Sequence, residues 1–196
     1  MKAFPELVAA LRVMLDRMDA SLRADHYAGE RVRMYLAGGL AVNYYCGSRY
    51  TEDVDASFSR RFLLPEIVVP YRRRDGAETF IYLDHNYNTS FALLHHDFEA
   101  RTREWEGIGN EQRLIQLRVF SPLDLAVSKL ARFSDQDCED IETLAAEGYF
   151  KVGEFRAHAL DAMGNFIGDK RPLLTSLDLM AARLPAARSK PVDDCG

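Results

Sequence analysis

An α/β fold of the α+β kind, with a mixed sheet followed by a helical half, is what this sequence predicts. Three observations carry the prediction. Short apolar runs alternate with helix-period segments through the first 120 residues. From Ser121 onward the helical period is almost unbroken. The 196 residues, 47% hydrophobic and 28% charged, are enough for a proper core of ordinary globular composition. The spacing therefore divides the chain into an α/β core with an N-terminal helix over 1–120 and a helical region packed on it over 121–196.

The elements follow in order. Phe4, Leu7, Val8, Leu11, Leu15, Met18 and Leu22 recur at helical spacing, with Arg12, Asp16, Asp19 and Arg23 mostly on other faces. Residues 32–37 read as a buried strand that the pair Gly38-Gly39 ends. A helix restarts at Leu40, and Gly47 is placed to cap its C-terminus. Residues 53–58 form a second short strand. Residues 61–70 read as a helical turn beside Pro65 or as an extended piece after it, and 72–76 as a charged turn. Residues 79–83 and 89–94 flank a polar loop and suggest a hairpin, and 114–120 another strand. Ser121 suits an N-cap, Pro122 the first helical position and Asp124 the first turn. Further helices are expected near 137–147, 152–166 and 172–184, followed by a polar, frayed tail.

A formal net charge of −5 gives no overall basic excess, so nothing forces a nucleic-acid reading. Cys46, Cys138 and Cys195 are odd in number and lack metal-ligand spacing, which fits reduced thiols and a cytoplasmic location. Charges interrupt the N-terminal segment, and no apolar run approaches membrane-spanning length.

Chemistry concentrates in residues 36–57, LAGGLAVNYYCGSRYTEDVDAS. Asp53 and Asp55 are two apart, so on a strand their carboxylates converge, and their repulsion calls for a cation. Mg²⁺ takes such oxygen ligands together with substrate phosphates. Gly38 and Gly39, after a strand and before a helix N-terminus, let backbone N–H groups approach an anion. Lys129 and Arg132, three apart, share a helix face, as do Asp137 and Asp140. The structural readings of the same residues are a tight turn, solvated faces and N-terminal helix capping. Adjacent side chains of an extended segment point apart, so His95-His96-Asp97 suits a structural or exposed role.

GG followed at this distance by DVD, with Arg49 and Thr51 just before it, resembles the nucleotidyltransferase superfamily of DNA polymerase beta. It is most similar to the small bacterial branch that includes abortive-infection toxin nucleotidyltransferases. The segment SPLDLAVSKLARFSDQDCEDIETL, in which a lysine and an arginine precede an aspartate pair, adds to the resemblance, which spans roughly residues 33–145. It implies that Gly38 and Gly39 cradle an NTP with Thr51, Arg49 and Arg132 nearby, and that Asp53 and Asp55 hold Mg²⁺. It also implies that Lys129 neutralises phosphate charge and that Asp137 positions Lys129 or the acceptor, with Asp140 a helper. The acceptor is RNA (tRNA for a toxin), a protein or a small molecule, and a toxin implies an antitoxin partner. Many members carry a third metal-binding acid, for which Asp84 and Asp97 are the candidates.

A catalytically inactive nucleotide- or partner-binding module of the same fold stays open. Residues 53–57 also fit DxDxS of haloacid dehalogenase phosphatases. That motif's first aspartate must end a strongly apolar strand, and Arg49-Tyr50-Thr51-Glu52 precedes it here.

Overall fold

The computed structural model describes residues 2–87, 89 and 92–184. Cys195 and the polar tail lie outside the described residues. The first element, α1 (Pro5–Ala24), begins on a proline whose missing N–H would have no helical partner in any case. Its apolar stripe, Leu7, Leu11, Met14, Leu15, Met18 and Leu22, is buried. Asp19 departs from the expected solvent-facing acid. It is buried, and its two carboxylate oxygens accept the backbone N–H groups of Leu114 and Ile115 at 2.9 Å each.

Then follow β1 (Val32–Leu36) and α2 (Gly38–Cys46), which Gly47 closes in the left-handed region at φ +61°. The expected strand over 53–58 breaks at Asp55 into β2 (Asp53–Val54) and β3 (Ala56–Phe58). Next come β4 (Val68–Arg72), β5 (Glu78–Leu83), α3 (Phe98–Arg101), β6 (Arg103–Glu104) and β7 (Ile115–Val119). The helical half is α4 (Pro122–Ser128), α5 (Asp135–Ala146), α6 (Val152–Gly164) and α7 (Arg171–Arg183).

Two mixed sheets form the core. One has the order β3-β1-β7-β6, with β1 and β7 parallel; the other has the order β2-β5-β4, with β2 and β5 parallel. The chain changes sheets at Asp55, whose carbonyl accepts the Ala37 N–H at 2.9 Å. That bond holds the acid beside the start of α2. Among the described residues, no helix is long and apolar enough to cross a membrane.

Two expectations are corrected. The hairpin is β4 with β5, closed around Gly76 at φ +84°, and not 79–83 with 89–94. The Arg73 N–H bonds to the Ala77 carbonyl and Asp75 accepts the Ala77 N–H, so this turn folds on its own short-range contacts. In the second segment Thr89 is a 3-10 turn and Ala92 a bend; Asn88, Ser90 and Phe91 lie outside the described residues. The other correction concerns α4, which ends at Ser128. Lys129 is its C-cap, and Arg132 stands in the turn beyond, not one helical step along the same face.

Asp124 ties the helical half together. It accepts the Arg101 guanidinium at 3.0 and 2.6 Å and lies 2.8 Å from His158 Nε2, and Ser121 Oγ donates to it. Burial works against ionisation, but the hydrogen bonds from His158, Arg101 and Ser121 outweigh it and hold the carboxyl at about 2. A folded value below the unfolded one stabilises above pH ~4 and is lost as pH falls through the folded value. Acid titration followed by tryptophan fluorescence should show about 2 kcal/mol of Asp124-linked stability disappearing between pH ~4 and ~2. Asp124→Asn should be less stable at neutral pH and flatter in that window. An unchanged acid limb in the variant would remove Asp124 from the account.

Candidate functional site

Asp55 packs against the first helical residue of α2. Gly38 stands at φ +59°, and a Cβ built on it would meet the Asp55 Oδ2 at 1.7 Å. The missing side chain of Gly38 is thus occupied by the carboxylate. The missing side chain of Gly39 is occupied likewise, by the Arg49 guanidinium, whose Nη2 a Cβ would meet at 2.7 Å.

The pairing of β2 with β5 sets Val54 opposite Leu83, and the Asp84 N–H donates to the Val54 carbonyl at 3.2 Å. Asp84 therefore stands next to Asp55 at the end of the ladder. Burial first, then the charges of Asp53 and Asp84, push the Asp55 carboxyl up; Lys129 and Arg132 pull it partway back. Asp53 is exposed, and its hydrogen bond is the foremost cause that raises the Tyr82 hydroxyl to about 12.

The opposite wall is cationic. Lys129, 5% exposed, donates to Asp140 at 2.7 Å and to Asp137 at 3.3 Å. Arg132 grips Asp137 with two bonds of 2.7 Å, and its side chain is 73% exposed. Asp137 is the third helical residue of α5 and closes a reciprocal cap with Ser134. Burial opposes its ionisation, but Arg132, Ser134 and Lys129 hold the carboxyl well below the usual range. Asp140 receives Lys129 on one side and Arg49 on the other, the latter through bonds of 3.0 and 2.9 Å. Arg49 and Gly39 thereby join α2 to α5.

Between the walls lies a cleft of about 260 Å³, lined by Gly38, Asp55, Asp84, Tyr87, Lys129 and Arg132 among others, including Asp137. Gly39, Arg49, Thr51 and Asp53 fall outside this lining. Thr51 donates only to the Asp53 carbonyl, at 3.4 Å. Sequence reasoning missed Tyr87, whose hydroxyl burial and the Asp55 charge push up. It also ranked Asp140 below Asp137, although their spacing of three already placed both on one face.

Asp97 lies elsewhere, with His95 and His96. The two imidazoles stack with centroids 4.2 Å apart and do not point apart, because the chain turns here into α3. Their ligand atoms and that of Asp97 all lie within 4.8 Å of one another, so this group is capable of coordinating a metal ion. The acids of the cleft are not drawn together in that way. His95 has its own partners, the Asp97 N–H on Nδ1 at 3.1 Å and Asp161 beside Nε2 at 2.5 Å.

None of the curated proteins matches the chain. Three solved chains do. One is a crystal structure of an antigenic nucleotidyltransferase-like protein from Paracoccidioides brasiliensis, 16% identical, covering 87% of this chain and 93% of that chain with a TM-score of 0.40. The family described as nucleotidyltransferase of unknown function (DUF6036) matches residues 14–170. With that match running from within α1 past both walls of the cleft to residue 170, the chain belongs to this nucleotidyltransferase family.

Proposed function

We propose that the cleft moves a nucleoside monophosphate from an NTP to an acceptor hydroxyl and releases pyrophosphate. The observation that carries this reading is the juxtaposition of an acid wall, Asp55 and Asp84 with Asp53 at its edge, and a cationic wall, Lys129 and Arg132, across the first turn of α2. The acids are an all-oxygen donor set whose charges act on Asp55, a repulsion that a hard cation drawing them together would relieve, so their chemistry suits Mg²⁺. When bound there, the ion supplies charge neutralisation for the triphosphate. Lys129 and Arg132 favour the negative charge that builds on the leaving pyrophosphate, and the N-terminus of α2 adds its dipole. Asp137 and Asp140 hold the lysine in place.

The acceptor, whether RNA, protein or small molecule, and an antitoxin partner belong to the resemblance with the abortive-infection branch. The decisive experiment incubates the protein with each labelled NTP, Mg²⁺ and total RNA or cell extract. Label transfer that vanishes in Asp53→Ala and Asp55→Ala supports the reading and identifies the acceptor class. Transfer that survives both substitutions ends it.

A second reading, a binding module without turnover, draws on one observation. Lys129 is sealed between two carboxylates and is not free in the cleft. Magnesium-dependent NTP binding with no transfer to any fraction would favour it.

A further inference from the structure

His95, His96 and Asp97 do not line the cleft, and the transfer proposed there uses none of them. What each side chain does with its second polar atom decides what the group can hold.

His95 is buried, and its Nδ1 accepts the Asp97 N–H at 3.1 Å. A neutral imidazole carries one proton, so that proton is on Nε2, where Asp161 of α6 receives it at 2.5 Å. The Nδ1 lone pair therefore faces Asp97. His96 is 57% exposed, and its Nε2 lies 3.1 Å from an oxygen of Asp97, itself 60% exposed. The other ring nitrogen of His96, Nδ1, lies 3.3 Å from the side-chain amide of Asn165, the C-cap of α6. A half-turn of that amide, which leaves its shape unchanged, sets the oxygen on an Nδ1–H and frees the Nε2 lone pair. Asp97 is the N-cap residue of α3, yet its carboxylate makes no capping bond and turns to His96 instead.

We infer that His95 Nδ1, His96 Nε2 and the Asp97 carboxylate hold one divalent ion of the zinc class, and that Asp161 and Asn165 orient the two imidazoles for it. A carboxylate or carbonyl oxygen on the far nitrogen of a metal-bound histidine fixes the ring and raises its basicity. Here both such partners come from one helix, while the three ligands are consecutive in the chain. Two imidazoles favour zinc, copper, iron or nickel over magnesium, which prefers oxygen. The site is chemically distinct from the all-oxygen cleft, and the inference does not rest on the reaction proposed there.

The ligand atoms lie within 4.8 Å of one another. Zinc bonds of about 2 Å bring tetrahedral ligands to roughly 3.3 Å apart. His96 and Asp97 already meet that spacing. His95 is held by Asp161 and stacks on His158 with centroids 5.0 Å apart, so it is the fixed ligand. His96 must swing out of its own stack on His95 to converge on the ion, and its exposure permits this. The ion displaces the Asp97 N–H from His95 Nδ1, and that N–H, in an exposed residue, passes to water. Water fills the coordination left open. The bound ion ties the turn into α3 to α6, and with it the segment whose Ala92, three residues before His95, lines the cleft.

Calorimetry of untagged protein with zinc chloride, in millimolar Mg²⁺ to occupy the cleft, tests this. Wild type should bind one zinc ion per chain, and His96→Ala should abolish the binding. Asp161→Ala should weaken it about tenfold, and Asp161→Asn, which still accepts the Nε2 proton, should recover part of the loss. At about 100 times the measured Kd, zinc should raise the wild-type melting temperature by about 5 °C and leave His96→Ala unmoved. In EDTA His96→Ala should melt with wild type, because the side chain is exposed, so lost binding reports a lost ligand and not lost structure. Asp55→Asn, in the cleft, should keep wild-type zinc affinity. Zinc affinity unchanged in His96→Ala or in Asp161→Ala, or lost in Asp55→Asn, would overturn the inference. So would wild-type protein that takes up no zinc while magnesium is present.

Discussion

Lys129→Ala is expected to destabilise the protein by about 3 kcal/mol, a large share of the total stability of a domain this size. The ammonium is buried between Asp137 and Asp140, and its loss leaves two carboxylates in a site with little water to solvate them. Arg132 and Arg49 still hold those carboxylates from the other side, which keeps the loss at the lower end for a broken buried pair. Urea unfolding followed by circular dichroism measures it. Lys129→Met combined with Asp140→Asn should recover more than half of the loss, since the second change removes the charge the first left uncompensated. A midpoint equal to wild type in Lys129→Ala would mean that the network does not hold α4 against α5. The consequence for function is practical: a transfer assay on a lysine variant is read on protein shown to be folded.

The same network explains which parts of the site were legible in the sequence. Strand, glycine pair and helix were visible because periodicity and breaker residues act locally. The reason for the glycines was not. Gly38 and Gly39 were read as open backbone for phosphate, whereas Asp55 and Arg49, at least ten positions away in each case, fill the space their side chains would take. Spacing along the chain carries no record of which distant side chain comes to rest on a turn. Asp84 illustrates the converse. Its type and its place after a strand made it a candidate, but only the parallel pairing of β2 with β5 sets it beside Asp55.

Lys129 and Arg132 were legible as a pair and misread in their geometry. A continuous helix would put them on one face, yet α4 stops at Ser128 and Phe133 takes a positive φ of 51°. Both cations still reach Asp137, from a cap and from a turn. Tertiary ion pairing decided the end of the helix where local propensity would have extended it. The directions of the His95 and His96 side chains were misjudged for the related reason that a turn into α3, not an extended strand, carries them.

Asp55→Asn should move stability and ligand binding in opposite directions. In the folded chain Asp55 is held against Gly38, half out of water and beside Asp53 and Asp84, and its carboxyl is pushed up for those reasons. A folded value above the unfolded one stabilises at pH values below the unfolded carboxylate range, and that contribution is lost as pH rises through the folded value. At neutral pH the metal-free protein therefore carries the strain of an ionised Asp55. Asparagine keeps the shape without the charge. The variant should melt higher than wild type in EDTA at pH 7, and the difference should shrink as pH is lowered toward 4. With Mg²⁺ and an NTP present the order should reverse, since wild type gains stability from the complex by mass action and the variant does not. A variant no more stable than wild type in EDTA would mean that the acids repel one another too weakly to call for a cation. Without that repulsion, Asp55 beside Gly38 would be a packing contact, and the cleft would lose its reason to bind magnesium.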